Sequence, residues 1–166
     1  AIAIKLNDGG SILYTQQRIG YRGIPFKMYK FRSMSENRKL NKQQNTVIND
    51  ARITYIGTFI RKTRIDEFPQ FFNVRVGEMS LIGTRAEFKD YNKKIKKSVP
   101  FFNYRHIVRP GISGWAQVMH GYAIGTDETK IKIEYDFYYI KHFSLSLDIV
   151  IFFKTIRTML TGFGAR

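Results

Sequence analysis

The sequence predicts a single α+β domain: a small β-hairpin or sheet packed with several amphipathic helices, with a surface suited to anionic partners. Three observations point there. β-Prone runs flank a turn-rich segment near the N-terminus. Apolar residues recur at helical spacing through much of the rest. Cations far outnumber acids, 28 Lys and Arg against 13 Asp and Glu, for a net charge of +15.

The 166 residues fit one domain spanning 1–166, large enough to bury a core without staples. The chain has no cysteine, which excludes disulfides, thiolate zinc sites and cysteine nucleophiles together. His106, His120 and His142 lie far apart, so any bound metal is expected to be a hard cation on oxygen ligands. The charge predicts an anionic partner: nucleic acid, anionic lipid or a phosphorylated small molecule. Aromatic residues, 15% of the chain, suit a membrane interface as well as a core. No apolar run approaches the roughly 20 residues of a spanning helix. The nearest candidate, Leu147 to Leu160, carries Asp148, Lys154 and Arg157.

Residues 11–34 read as a hairpin, with Leu13–Thr15 and Phe26–Phe31 as strands around the turn Gly20–Pro25. The polar segment 35–52 reads as an exposed loop. A helix is expected over Thr54–Lys62, where Ile56, Phe59 and Ile60 recur. A second is expected to open at Asp66 as N-cap, with Pro69 in its first turn and Phe68, Phe71 and Phe72 on one stripe. Gly77 stops it. Leu81–Arg85 reads as an apolar segment ending in a turn, residues 86–98 as a basic helix, and Arg109–Gly114 as a loop. Trp115–Val118 reads as a strand. Residues 127–141 fit strand or helix; Thr126 as a cap and Glu128 four residues before Lys132 favour helix. An amphipathic helix closes the chain from Leu147 to Leu160.

The adjacent acids Asp66 and Glu67 follow Arg61, Lys62 and Arg64. A helix end stabilises a carboxylate by about 0.3–1 kcal/mol, lowering its pKa by less than about one unit. Asp66 is therefore expected to be ionised, as a nucleophile or magnesium ligand must be. The same end offers N–H groups to a phosphate, and the three cations reduce repulsion toward it. The local pattern serves equally for a plain helix cap. Arg85 after Gly83, and Arg109 before Pro110-Gly111, place guanidinium forks on turns that a phosphate can approach; ordinary exposed arginines look the same. Lys30 and Arg32 alternate to one strand face, with Phe31 on the other. Phe152, Phe153, Lys154 and Arg157 on the last helix suit either a core or an anionic membrane interface.

Taken in order, these segments resemble the bacterial sugar transferases, the monotopic phosphoglycosyl transferases that begin polyprenol-linked glycan assembly. The matching pieces are Gln17-Arg18-Ile19-Gly20, Tyr29 to Met34, Arg61 to Val74, Gly77 to Arg85, Val108 to Val118 and Tyr135 to Ile140. The ending Thr161 to Arg166 looks like that of the larger, exopolysaccharide-type members. The resemblance implies a Mg2+-dependent transfer of a sugar 1-phosphate from a UDP-sugar to polyprenol (undecaprenyl) phosphate, with UMP released through an aspartyl-phosphosugar intermediate. Carried to this chain, Asp66 is the nucleophile and Glu67 assists through the metal or as a base. Lys30, Arg32, Arg61, Arg85 and Arg109 are implied phosphate or nucleotide contacts, and Asp136 matches a recurrent family acid. The resemblance also implies an N-terminal membrane segment preceding this part, and a place at the cytoplasmic face of the bacterial plasma membrane.

Two departures stand out. Gly83-Thr84-Arg85-Ala86 replaces a Gly-Pro-Arg-Pro turn, and Ala51 stands where proline is common. The arginine is kept, but a looser turn is expected. The alternative is a non-catalytic basic module for a membrane surface or nucleic acid. Recognition-helix, RRM-like and KH-like signatures are missing, so nucleic acid is not the expected partner. Sugar identity and oligomeric state leave no signature in the sequence.

Overall fold

The computed structural model describes residues 1–35, 50, 52–121 and 126–161. The N-terminus is helical: α1 (Ile2–Asp8) buries Ile4, leaves Ile2 and Leu6 exposed, and ends at left-handed Gly9. The expected hairpin follows. Strands β1 (Leu13–Ile19) and β2 (Pro25–Phe31) pair antiparallel from Leu13 opposite Phe31 to Ile19 opposite Pro25. The turn between them, Tyr21–Gly23, carries two left-handed residues, Arg22 (φ 55) and Gly23 (φ 76). On the other side of β1 lies the short strand β5 (Glu87–Phe88), giving the sheet order β2-β1-β5.

Strand alternation divides this sheet into two faces. On one, Phe26 and Met28 pack with Met79 and Ala86, and with Val74 and Ile112 at the edge of the cluster.

Most of the polar segment 35–52 lies outside the described residues. Its described ends are tied down rather than exposed. Ser35 N donates to Arg52 O at 2.8 Å, and Asp50 and Arg52 are buried as an ion pair at 2.6 Å. Helix α2 (Tyr55–Lys62) matches expectation, with Gly57 N donating to the Thr54 hydroxyl at 2.9 Å. Gly57 is needed because a Cβ there would stand 1.9 Å from Ser33 O.

The helix expected to open at Asp66 does not. Arg64 takes a left-handed conformation (φ 54), Ile65–Glu67 forms a single 3-10 turn, and α3 (Gln70–Arg75) begins after Pro69. Asp66 is therefore not an N-cap: its carboxylate turns toward Lys30 instead of the backbone.

A second small sheet has the order β3-β6-β4, with β6 (Pro110–Ser113) parallel to β3 (Ser80–Ile82) and to β4 (Thr84–Arg85). The loop expected at Arg109–Gly114 is thus largely a central strand, specified by partners some thirty residues away. Helix α4 (Lys89–Ile95) falls within the expected basic helix. Trp115–Val118 is helical, not a strand: α5 (Trp115–Met119) leaves the sheet after extended Gly114 and buries Val118 against Tyr139 and Ile151. Long helices α6 (Thr126–Lys141) and α7 (Leu145–Thr161) complete the fold. The expected Glu128–Lys132 pairing is replaced, because Lys132 turns inward to Glu87. Among the described residues no helix is long and apolar enough to cross a membrane.

Candidate active site

The 3-10 turn sets Asp66 and Glu67 against β2. Lys30 Nζ donates to Glu67 Oε1 at 2.9 Å and lies 3.8 Å from Asp66 Oδ2. Arg64 reaches Glu67 Oε2 at 4.0 Å. A left-handed non-glycine residue costs on the order of 1 kcal/mol or more, so Arg64 holds the turn under local strain.

Strand β2 lies at the edge of its sheet, and Asn73 of α3 occupies its open side. Its Oδ1 accepts from Tyr29 N at 3.2 Å, and its Nδ2 donates to Lys27 O at 2.8 Å. Asn73 is fully buried. Through this side chain, the helix after the carboxylates is fastened to the strand bearing Lys30.

The two acids are electrostatically unequal. Burial pushes Asp66 above the ordinary carboxylate value; Glu67 adds to the push, while Lys30, Arg61 and Arg64 oppose it. This reverses the expectation of a lowered pKa, because no helix opens at Asp66 and desolvation outweighs the pull of the surrounding cations. Burial pushes Glu67 up as well, yet Lys30, Arg85 and Arg64 together outweigh it and hold the group at about 2. Glu67 is a fixed anion. Asp66 is the less firmly engaged carboxylate.

Arg85 sits half-buried at the end of β4, close enough to act on Glu67. Thr84 and Ala86, on either side of Arg85, are both held by tertiary contacts. Thr84 Oγ1 donates to Arg105 O at 3.2 Å, Ala86 O accepts from Arg18 at 2.9 Å, and Ala86 packs in the core. Arg105, fully buried, donates to Arg85 O at 2.9 Å while pairing with Asp136 at 2.7 Å and with Glu87 at 3.4 Å.

Asp136 therefore lies in this buried network, one residue removed from Arg85 and not beside Asp66. Arg61 is half-buried at the end of α2, and its charge is felt by Asp66. Arg32 is buried with its guanidinium packed on Gly10, where a Cβ would collide with it. Arg109 is exposed before β6 and takes no part in the ion pairs around the two acids. The structure thus gathers Lys30, Arg61, Asp66, Glu67 and Arg85, and leaves Arg32, Arg109 and Asp136 outside that group.

A small pocket beside Glu67, which Asp66 does not line, holds two residues that the sequence alone does not single out. Arg18 and Gln70 line it together with Lys30, Glu67 and Arg85. Arg18 lies over the Phe88 ring, 3.4 Å from its centroid, and donates to Ala86 O, but its buried Nε has no partner. Burial lowers its pKa to about 10, with Arg85 adding to the effect, so it remains charged at neutral pH. Gln70 Nε2 is likewise buried and unpartnered. The signal for Arg18 is the hairpin register, which puts it on the same face as Lys30.

A carboxylate pair ringed by ammonium and guanidinium groups has the charge pattern that suits phosphorylated anions. The chain belongs to the bacterial sugar transferase family, which matches residues 1–162. It is 57% identical over 166 residues to the UDP-N-acetylgalactosamine-undecaprenyl-phosphate N-acetylgalactosaminephosphotransferase of Aeromonas hydrophila, covering 100% of this chain and 39% of that protein. It is 40% identical over 161 residues to the UDP-glucose:undecaprenyl-phosphate glucose-1-phosphate transferase of Escherichia coli K12, covering 94% of this chain and 34% of that protein. The exopolysaccharide production protein PSS of Rhizobium leguminosarum is 38% identical over 168 residues, covering 97% of this chain and 84% of the relative. The chain spans about a third of the length of the first two relatives.

Proposed function

We propose that this chain is the catalytic part of a phosphoglycosyl transferase, moving a sugar 1-phosphate from a UDP-sugar to polyprenol phosphate at the cytoplasmic face of a bacterial plasma membrane. The observation that carries this reading is the inequality of the two acids: Glu67 is locked by Lys30 while Asp66 stays half-buried and only loosely paired. The names of the two undecaprenyl-phosphate relatives support the substrate classes.

In the first step an Asp66 oxygen attacks the β-phosphorus, the bond from that phosphorus to the bridging oxygen breaks, and UMP leaves with the electron pair. In the second, an oxygen of polyprenol phosphate attacks the same phosphorus and the Asp66–phosphorus bond breaks, restoring the carboxylate. Lys30 and Arg85 neutralise the phosphoryl oxygens. Arg18 and Gln70 present free donors to the adjoining pocket beside Glu67. A raised Asp66 pKa means a more basic, more nucleophilic carboxylate once ionised.

Adjacent oxygen donors suit Mg2+, which is commonly held by one or two carboxylates together with substrate phosphates. Asp66 and Glu67 would hold it, and it would supply positive charge against the phosphoryl oxygens. Exposed Phe68, Phe71 and Phe72 beside the acids, and exposed Phe152 and Phe153 on α7, support contact with an anionic membrane surface.

The test is UMP release from a panel of UDP-sugars by the membrane-complete protein, with no lipid acceptor present. One sugar should release UMP, and Asp66→Asn should abolish the release. Undiminished release by Asp66→Asn would remove Asp66 as nucleophile.

A further inference from the structure

A second cleft lies apart from the pocket lined by Glu67. It has a volume of about 510 Å3 and lies between the hairpin turn, α4 and the 3-10 segment Phe102–Ile107. The volume falls within the range of small-molecule sites, roughly 300–1,000 Å3. Its position follows from strand alternation. Arg18, Met28 and Lys30 line the carboxylate cleft, while Ile19 and Pro25 line this one. The two cavities occupy opposite faces of one sheet.

Four cations surround the cleft: Arg22 from the hairpin turn, and Lys89, Lys93 and Lys96 from the α4 side. The three lysines stand at i, i+4 and i+7, so helical geometry sends them to one side. No carboxylate lines the cleft. None of the four cations forms an ion pair with a described residue.

Arg22 stands on strained left-handed backbone, and such strain gathers at ligand sites. The floor mixes polar and apolar groups: Asn92 and His106 are hydrogen-bonded to each other at 3.1 Å, and Ile19, Pro25 and Ile107 supply apolar surface.

We propose that this cleft is a second anion site, taking a ligand with two or more phosphoryl charges and an apolar portion, on the face of the sheet away from Asp66 and Glu67. Convergent unpaired cations favour a multiply charged anion, since each phosphoryl group accepts several charge-assisted hydrogen bonds. The apolar floor receives the part of the ligand next to the phosphate. The inference does not depend on sugar transfer at the carboxylate cleft.

The probe is inorganic pyrophosphate, titrated calorimetrically into the 166-residue chain at about 0.15 M salt, where exposed charges are largely screened. Two classes of site are expected. Lys93→Ala/Lys96→Ala should weaken one of them about tenfold, as losing a charge-assisted bond does. Lys94→Ala/Lys97→Ala, which removes equal charge from outside the cleft, should change neither class. UMP release by the membrane-complete protein carrying Lys93→Ala/Lys96→Ala should be unchanged. Pyrophosphate binding indifferent to Lys93→Ala/Lys96→Ala, or equal weakening by both double variants, would overturn the proposal.

A vesicle arm separates the two sources of phosphate. If Lys93→Ala/Lys96→Ala alone loses binding to phosphatidylcholine vesicles containing phosphatidylglycerol, and pyrophosphate competes with those vesicles in the parent chain, the ligand is a lipid headgroup. If vesicle binding ignores that pair while pyrophosphate binding falls, the ligand is a soluble phosphorylated molecule.

Discussion

Lys30 donates a 2.9 Å hydrogen bond to Glu67 and lies 3.8 Å from Asp66, so one ammonium serves two adjacent carboxylates unequally. The arrangement converts neighbours in sequence into groups of different chemistry: one pinned and ionised, the other half-buried and less acidic.

Replacing Lys30 with methionine keeps the stem and removes the charge. Glu67 then loses its principal counter-charge while remaining buried. The variant is expected to lose about 1–3 kcal/mol at pH 7, and Glu67→Gln in the same chain should restore much of it. The sign follows from linkage. With a folded pKa of about 2, against 4.5 for the free side chain, Glu67 contributes stability present above about pH 4.5 and lost as pH falls toward 2. In the Lys30→Met variant that acid-side loss should shrink. Chemical denaturation at several pH values checks both statements.

Asp136→Asn separates a structural role from substrate contact. Arg105 would be left buried without its 2.7 Å partner, and breaking such a pair costs about 3–5 kcal/mol. The expected outcome is a large fall in melting temperature with the KM for the UDP-sugar little changed at temperatures where the variant is folded. A large rise in KM with stability intact would instead place Asp136 in contact with substrate.

His106 predicts an acid limb to stability. Burial, and next the charge of Arg105, depress its pKa from 6.5 to about 4. The folded state thus prefers the neutral ring. Its contribution is fully present above about pH 6.5 and is lost as pH falls to about 4. The loss should be on the order of 2 kcal/mol, discounted because the ring also borders an open cleft. His106→Gln should flatten the stability profile over this window while leaving the plateau above it changed only by the lost packing.

Elements with a strong local signal are legible: the hairpin from its β-prone runs, α2 from Thr54 and its apolar spacing, and α7 from periodicity, whereas the periodicity of α6 fits strand or helix and only the Thr126 cap and the Glu128–Lys132 spacing favour helix. What escaped needed partners distant in sequence. Strand β6 reads as a loop because Pro110 and Gly111 punctuate it, and only pairing with β3 and β4 makes it a strand. Trp115–Val118 has β propensity that burial of Val118 beside Tyr139 overrides. The opening at Asp66 is not legible in the sequence because a left-handed arginine gives no compositional cue of the kind glycine gives. Within the candidate site, Asp66, Glu67, Lys30 and Arg85 were legible as charged groups beside turns or strand ends. Arg18 required the register, and the Arg105–Asp136 network required the tertiary fold.

Arg18 and Ile19 are consecutive on β1, yet one enters the carboxylate cleft and the other lines the basic cleft behind the sheet. A slip of one residue in hairpin pairing would invert the faces of one strand, either exchanging Arg18 with Ile19 or turning Lys30 away from Glu67. Both cavities are therefore tied to one seven-residue ladder, and an insertion or deletion in the Tyr21–Gly23 turn would be inherited by both at once. Evolutionary or designed variation at either site has point substitution open to it, while changes in hairpin length are closed.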